Sequence, residues 1–292
     1  MRRLWNLYLR PRTVPEALRA IHEAPQPAAF IAGGTDLLLD IETGRHPRPH
    51  TLVDVTDVDE LQALEVRGDR LFVGAAVPVA RVAASPLVRT HAQALAEACA
   101  LIAGPQVRNL ATLGGNVAHA LPAADGTIAL VALDAQAEVA SPRGRRRVPL
   151  ETLFLGPGRS ALGHDELLVG FYLPLARPGQ ASAFRRVMRP QGVALPILNA
   201  AVWLRREGDR VVDVGIAVGP SGPVPRRLRA TEAALRGHAL TPERVAAAKE
   251  ALLREARFRT SKFRASETYR RLLAGVLLEE ALQTAWGRAG TA

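Results

Sequence analysis

The sequence is poor in cysteine and in lysine, and both shortages limit what the chain can do. Cys99 is the single cysteine among 292 residues. The chain therefore forms no internal disulfide and holds no iron–sulfur cluster alone, since such clusters normally take four thiolate ligands. Lysine occurs only at Lys249 and Lys262, so the net charge of +10 is carried by arginine. Because the arginines are scattered among acids, we expect no nucleic-acid partner.

Several segments and motifs are also missing. No apolar run reaches the ~18 residues of a membrane span, and two arginines at residues 1–6 precede no apolar segment. We therefore expect a cytoplasmic protein without a membrane span. The absence of G-x-G-x-x-G excludes the usual Rossmann dinucleotide site. Without Ser-His-Asp, H-E-x-x-H or paired-carboxylate patterns, we predict no catalytic side chain and no metal site.

Two glycine turns, far apart in the chain, are the most informative feature present. The first runs Ala32-Gly33-Gly34-Thr35-Asp36, and the second Thr112-Leu113-Gly114-Gly115-Asn116. Because glycine accepts φ > 0 and has no Cβ, successive backbone N–H groups can converge on an anion. A single Gly-Gly pair is more often an ordinary strand-to-helix turn. The two together predict the halves of one site for a dinucleotide diphosphate.

The apolar patterns predict a first α+β domain that is not doubly wound. Thr13-Val14-Pro15-Glu16 has the spacing of a capping box and begins a helix. Short buried strands on either side of a helical segment suggest a small βαβ unit, and the later strands an antiparallel meander. The predicted strands are at 28–31, 52–55, 70–73, 137–140, 147–150 and 167–173. Two helices are expected at 78–84 and 86–102.

A second α+β unit is expected after a linker at 174–180 (PLARPGQ), where prolines and a glycine interrupt both periodicities. Alternating residues predict three strands, and helical spacing follows them. The strands are at 183–187, 199–205 and 211–218, and the helices at 231–235, 241–253 and 266–286.

Three strings carry a resemblance to a known family. AAFIAGGTDLLLDI (28–41), GPQVRNLATLGGNVAHALPAADG (104–126) and SETYRRLL (266–273) resemble the FAD-binding subunit of the molybdenum hydroxylases. That family includes carbon monoxide dehydrogenase, xanthine dehydrogenase and 4-hydroxybenzoyl-CoA reductase. The resemblance runs from about Trp5 to the last helix. It implies a two-subdomain FAD-binding domain of the vanillyl-alcohol-oxidase-like (PCMH) type at 1–176, then a smaller α+β domain at 181–288 with a three-stranded antiparallel sheet and helices.

The resemblance also implies a cofactor and partners. The chain would bind FAD and transfer electrons within a larger enzyme. A large molybdopterin-binding subunit would oxidise the substrate, and a small [2Fe-2S] subunit would pass the electrons to this FAD. They would then leave for an external acceptor. The implied assembly is a dimer of heterotrimers.

Family positions map onto residues of this sequence. Asp125 corresponds to a flavin-contacting aspartate, Leu168 to a residue that packs on the flavin, and Arg185 to a lysine of eukaryotic relatives whose charge favours the anionic reduced flavin. The loop at 189–192 lacks an aspartate that many bacterial relatives carry. His119 is interpreted as structural and not as a base. The remaining expected FAD-binding residues are those of the two turns: Ala32, Gly33, Gly34, Thr35, Asp36, Leu37, Thr112, Gly114, Gly115 and Asn116.

Two other functions remain open from the residues alone. The chain could be a stand-alone FAD-dependent oxidoreductase of the same fold, which would need polar groups above the flavin. It could also be a non-enzymatic binding or assembly protein whose glycine turns no longer hold a cofactor.

Overall fold

The chain's structure is a computed structural model that describes residues 4–189 and 195–290. Its first layer is a parallel three-stranded sheet flanked by two helices. The Thr13 hydroxyl accepts a hydrogen bond from the Glu16 amide at 3.3 Å, so the predicted first helix start is confirmed. The βαβ unit is also confirmed, because its strands pair in parallel. The elements are β1 (Leu7–Leu9), α1 (Val14–Glu23), β2 (Ala28–Ile31), α2 (Leu37–Glu42) and β3 (Thr51–Asp54).

A five-stranded antiparallel sheet forms the second subdomain. Its strands are β4 (Leu64–Arg67), β5 (Arg70–Gly74), β6 (Gln136–Ser141), β7 (Gly144–Pro149) and β10 (Leu167–Pro174). The order is β4-β5-β10-β6-β7. The expected meander is therefore wrong in its order, since the last strand inserts at the centre between two hairpins. A small hairpin of β8 (Phe154–Gly156) and β9 (Arg159–Ser160) precedes that strand.

Six helices lie between β5 and β6. The sequence predicted two helices over 78–102, and the structure has three. Ser85 begins a new helix by accepting a hydrogen bond from the Val88 amide at 3.3 Å, and the non-helical backbone of Ala92 separates that helix from the next. The apolar run at 127–133 lies almost wholly in a helix that is buried on every side. The helices are α3 (Val79–Ala84), α4 (Pro86–His91), α5 (Gln93–Leu101), α6 (Pro105–Arg108), α7 (Leu113–Ala118) and α8 (Asp125–Ala132).

The C-terminal part is a three-stranded antiparallel sheet followed by helices, as the sequence predicted. The sheet has the order β11-β12-β13, and the long last helix packs along its first two strands. The strands are β11 (Gln180–Met188), β12 (Pro196–Glu207) and β13 (Arg210–Gly219), and the helices are α9 (Arg229–Ala233), α10 (Pro242–Glu255) and α11 (Glu267–Ala289).

This last sheet is buried on both faces, and its two faces join different cores. Phe184 and Ala201 pack into the core of the first two subdomains. Their strand neighbours Ala183 and Val202 pack into a second core with α11. Because successive side chains of a strand point to opposite faces, this sheet is the wall between the two cores. Across the described residues, no helix is long and apolar enough to cross a membrane.

Candidate functional site

The two glycine turns lie side by side. A Cβ on Gly33 would lie 2.0 Å from the Leu110 carbonyl oxygen, so the first turn packs on the backbone just before Thr112. His119, which follows α7, has its Nδ1 3.4 Å from an Asp36 carboxylate oxygen and its Nε2 3.3 Å from one of Asp40. Two segments separated by nearly eighty residues are thus joined at one place.

The first turn has unused backbone donors. Gly34 has φ +68°, a conformation that favours glycine. The Leu38 amide donates to the Gly34 carbonyl at 3.0 Å and the Asp40 amide to the Asp36 carbonyl at 2.9 Å, which begins α2. Within the described part of the chain, the amides of Gly33, Gly34, Thr35 and Asp36 donate to no acceptor. Four consecutive N–H groups are therefore available to an anion.

The second turn is different, because its amides already have acceptors within the chain. The Gly114 amide donates to the Ala75 carbonyl at 2.8 Å, and the Asn116 amide to the Thr112 carbonyl at 3.0 Å. The Gly115 amide donates to the Thr112 hydroxyl at 3.1 Å. These bonds cap α7, so none of the three amides is open to a phosphate. Thr112 acts as a helix cap, which is the commoner role of a threonine at such a turn.

Gly114 and Asn116 instead fix the second turn within the subdomain. A Cβ on Gly114 would lie 2.6 Å from both the Cβ and the carbonyl oxygen of Ala75. The absence of a side chain therefore lets α7 approach the residue that follows β5. The Asn116 carboxamide oxygen accepts from the Thr127 amide at 3.0 Å and so joins α7 to α8.

Asp125 is buried between α8 and the C-terminal sheet and does not point into open space. Its carboxylate accepts from Arg186 Nη1 at 2.5 Å and from Asn199 Nδ2 at 2.7 Å. Burial raises the pKa of Asp125 above its usual range, and the guanidinium of Arg186 opposes that shift. With only 4% of the residue exposed, the carboxylate serves the contact between α8 and the C-terminal sheet. The expected bond to a cofactor hydroxyl is not the contact that this geometry provides.

Leu168 and Arg185 contact other parts of the chain. Leu168 is a buried residue of β10 opposite Val139, within the core. Arg185 donates to the Thr284 hydroxyl at 2.7 Å and so faces α11. Because side chains alternate along a strand, the next residue, Arg186, faces α8. The loop at 189–192, in which the sequence lacks an aspartate, lies mostly outside the described residues.

Three contributing residues were not predicted: His119 as the link between the turns, and the pair Arg186 and Asn199. The pair occupies opposite positions on β11 and β12. Strand alternation from Phe184, a large apolar residue, could have indicated that Arg186 shares its inward face. Nothing in the sequence around His119 indicates Asp36 and Asp40 as its partners.

Electrostatics reinforce the contact between the turns. The hydrogen bond to Asp36 raises the pKa of His119, and the same bond lowers the pKa of Asp36. Arg45 lies 2.8 Å from Asp40 and adds positive charge beside it. The open amides, the close glycine packing and these cations fit a bound diphosphate. No group of three or more His, Cys, Asp or Glu that could hold a metal ion occurs among the described residues.

Comparison with known proteins places this chain in a family. Residues 3–176 match the model of the FAD binding domain in molybdopterin dehydrogenase, and residues 182–285 match that of the CO dehydrogenase flavoprotein C-terminal domain. The chain therefore belongs to the FAD-binding subunits of the molybdenum hydroxylases. It is an oxidoreductase subunit whose cofactor is FAD.

Individual relatives match along almost their whole length. The chain is 31% identical to the carbon monoxide dehydrogenase medium chain of Hydrogenophaga pseudoflava, covering 96% of this chain and 97% of that one. It is 30% identical to the xanthine dehydrogenase FAD-binding subunit of Escherichia coli O157:H7, covering 97% of both. In structure it resembles a chain of carbon monoxide dehydrogenase from Hydrogenophaga pseudoflava, in a form lacking the Mo-pyranopterin moiety. That match has a TM-score of 0.90 and 32% identity, covering 96% of this chain and 97% of the other.

Proposed function

We propose that this chain is the electron-transfer subunit through which a molybdenum-containing hydroxylase passes electrons to an external acceptor. A large molybdopterin-binding subunit oxidises the substrate, and a small [2Fe-2S] subunit lies between it and this chain. The observation that carries the proposal is the meeting of the two glycine turns, with four consecutive open amides at residues 33–36. Bound FAD supplies a redox centre that accepts these electrons and passes them on.

The two turns contribute differently to binding the cofactor. The amides of Gly33 to Asp36 donate to the diphosphate, with Ala32 and Leu37 flanking them. The second turn contributes its shape: Thr112, Gly114, Gly115 and Asn116 form a wall beside the first turn, and the amides of the last three are already bonded. Asp125, Leu168 and Arg185 remain proposed flavin-side residues on the resemblance alone.

The proposal also covers the domain boundary, the subunit assembly and the cellular location. We place the domain boundary between residues 176 and 181, with domains at 1–176 and 181–288. The short connection between β10 and β11 and the two family matches support it. A dimer of heterotrimers and a cytoplasmic location belong to the same proposal.

FAD titration of the purified chain tests the proposal, with two glycine variants for comparison. We expect the wild type to bind one FAD per chain and to show flavin absorbance. Gly33→Ala should bind FAD at least about tenfold more weakly, because the new methyl collides with the Leu110 carbonyl. Gly287→Ala, in α11 with open space around it, is the control and should bind normally.

A colourless wild type after incubation with FAD would contradict the proposal and favour the binding or assembly protein. Turnover of a small substrate by the flavin-loaded chain alone would instead favour the stand-alone oxidoreductase.

A further inference from the structure

Arg270, in the first turn of α11, is a buried cation with no partner among the described residues. It is 2% exposed, and its Nε has no hydrogen bond. Among the described residues its guanidinium forms no ion pair either. Other deeply buried guanidinium groups are paired, such as Arg186 with Asp125 at 2.5 Å and Arg227 with Glu232 at 2.7 Å. Since buried charges are normally paired, the surroundings of Arg270 are incomplete.

The segment around Arg270 is strongly positive. Residues 257–271 contain one acid, Glu267. The segment's cations form no ion pair with any described residue; they are Arg257, Arg259, Lys262, Arg264, Arg270 and Arg271. Burial lowers the pKa of Arg270, and the like charges of Arg264 and Arg259 lower it further. The cluster therefore repels itself and would be stabilised by an added negative charge.

Large apolar side chains are exposed beside this cluster. Phe263 is 77% exposed and Leu272 is 68% exposed. Tyr269 and Val276 are also exposed, and with Leu272 they recur at the i, i+3, i+7 spacing of one helix face. A small anion would make no favourable contact with these apolar side chains. Exposed apolar residues beside unpaired charge are typical of a protein–protein contact.

We propose that this α11 surface, formed by residues 257–276, is the docking site for an acidic surface of a partner subunit. A carboxylate of the partner pairs with Arg270, and apolar side chains of the partner cover Tyr269, Leu272 and Val276. Charge complementarity defines the partner, which must be acidic and partly apolar at this contact. The inference rests on the proposed function, since it assigns this face to one of the other subunits of the complex.

Charge reversal on the exposed part of the surface tests the docking site. Arg259→Glu with Leu272→Glu changes two exposed side chains, and Arg244→Glu with Leu155→Glu is the matched control elsewhere on the surface. Each variant is co-expressed with the molybdopterin-binding and [2Fe-2S] subunits. Size-exclusion chromatography shows whether the complex assembles, and a binding titration gives the dissociation constant of the variant for the other subunits. We expect the α11 variant to assemble at least about tenfold more weakly, with its FAD content unchanged. The control should assemble like the wild type.

The other outcomes separate this inference from the proposed function. If the wild type assembles and the α11 variant assembles equally well, the docking site is wrong and the proposed function stands. If the wild type binds neither FAD nor the subunits, the proposed function itself fails. Arg270→Gln should also weaken assembly; should it unfold, the surface variant decides alone. Stabilisation by inorganic phosphate, or retention of an oligonucleotide, with unchanged subunit assembly, would overturn the docking site.

Discussion

His119 contacts two carboxylates at the start of α2, those of Asp36 and Asp40. It follows the second glycine turn, while its partners Asp36 and Asp40 follow the first. When the imidazole is protonated, one positive charge holds two negative groups beside the proposed diphosphate site. The histidine thus supports the geometry of the first turn and contributes positive charge where an anion is expected.

The titration of His119 predicts how FAD binding depends on pH. The hydrogen bond to Asp36 raises the pKa of His119. The stabilisation that protonated His119 gives to the first turn is therefore complete below the ordinary imidazole pKa of about 6.5, and it is lost as pH rises through the raised pKa. His119 in turn lowers the pKa of Asp36. The stabilisation that the ionised Asp36 carboxylate gives is therefore complete above its ordinary pKa of about 3.9, and it is lost as pH falls through the lowered pKa. The contact is therefore strongest between these two values.

Fluorescence titration of FAD between pH 6 and pH 9 measures this effect. We expect affinity to fall by about two- to fivefold over that range, the size expected for a half-exposed ion pair. His119→Gln should bind more weakly at pH 6 and lose the dependence, whereas His22→Gln, an exposed histidine of α1, should keep it. An unchanged pH profile in His119→Gln would exclude this role.

At the scale of single residues, the sequence identified the glycine turns but not how their amides are used. Glycine spacing and the family resemblance were enough to place both turns at one site. The acceptors could not be foreseen, because the Gly114 amide is bonded to Ala75, a residue brought near only by packing of α7 against the end of β5. For the same reason the partners of Asp125 were missed.

Among the elements, α8 and the C-terminal sheet share a buried ion pair in addition to their apolar contacts. Asp125 at the start of α8 accepts from Arg186 on β11 and Asn199 on β12. The side chains of the ion pair are only 3% and 5% exposed. Such a pair adds little over an apolar contact, but removing one member leaves a buried charge.

Asp125→Asn should therefore lower the free energy of unfolding by about 3–5 kcal/mol. The double variant Asp125→Leu with Arg186→Met, which removes both charges, should be less destabilised than Asp125→Asn. Thermal unfolding of the FAD-free chain measures both, with Glu250→Gln at an exposed pair of α10 as the control. An Asp125→Asn variant as stable as the wild type would show that the contact is not an ion pair in solution.

Some elements carry a local signal that made them predictable, and others do not. Helix α1 has its Thr13 cap, and β11 to β13 alternate between two cores. Helix α8 is buried on all sides, so its sequence shows no helical period. Strand β4 is a short edge strand with an exposed acid and an exposed valine, and β1 has only three residues. The central position of β10 is a long-range pairing that no local pattern encodes.

At the scale of the whole molecule, the C-terminal sheet separates the proposed FAD site from the proposed docking surface. One face of the sheet packs on α5 and α8, and the other on α11. The two glycine turns thus lie on one side of this wall, where Leu113 and Ala32 pack in the first core, and α11 lies on the other. A partner bound at α11 would therefore contact the chain without covering the glycine turns.

A crystal structure of the FAD-loaded chain tests most directly whether the two turns form the cofactor site. We expect the diphosphate beside the junction of the turns, with its oxygens at about 2.7–3.2 Å from amide nitrogens of Gly33 to Asp36. The amides of Gly114, Gly115 and Asn116 should keep their present acceptors. A diphosphate bound away from the first turn, or held only by the second, would contradict the assignment.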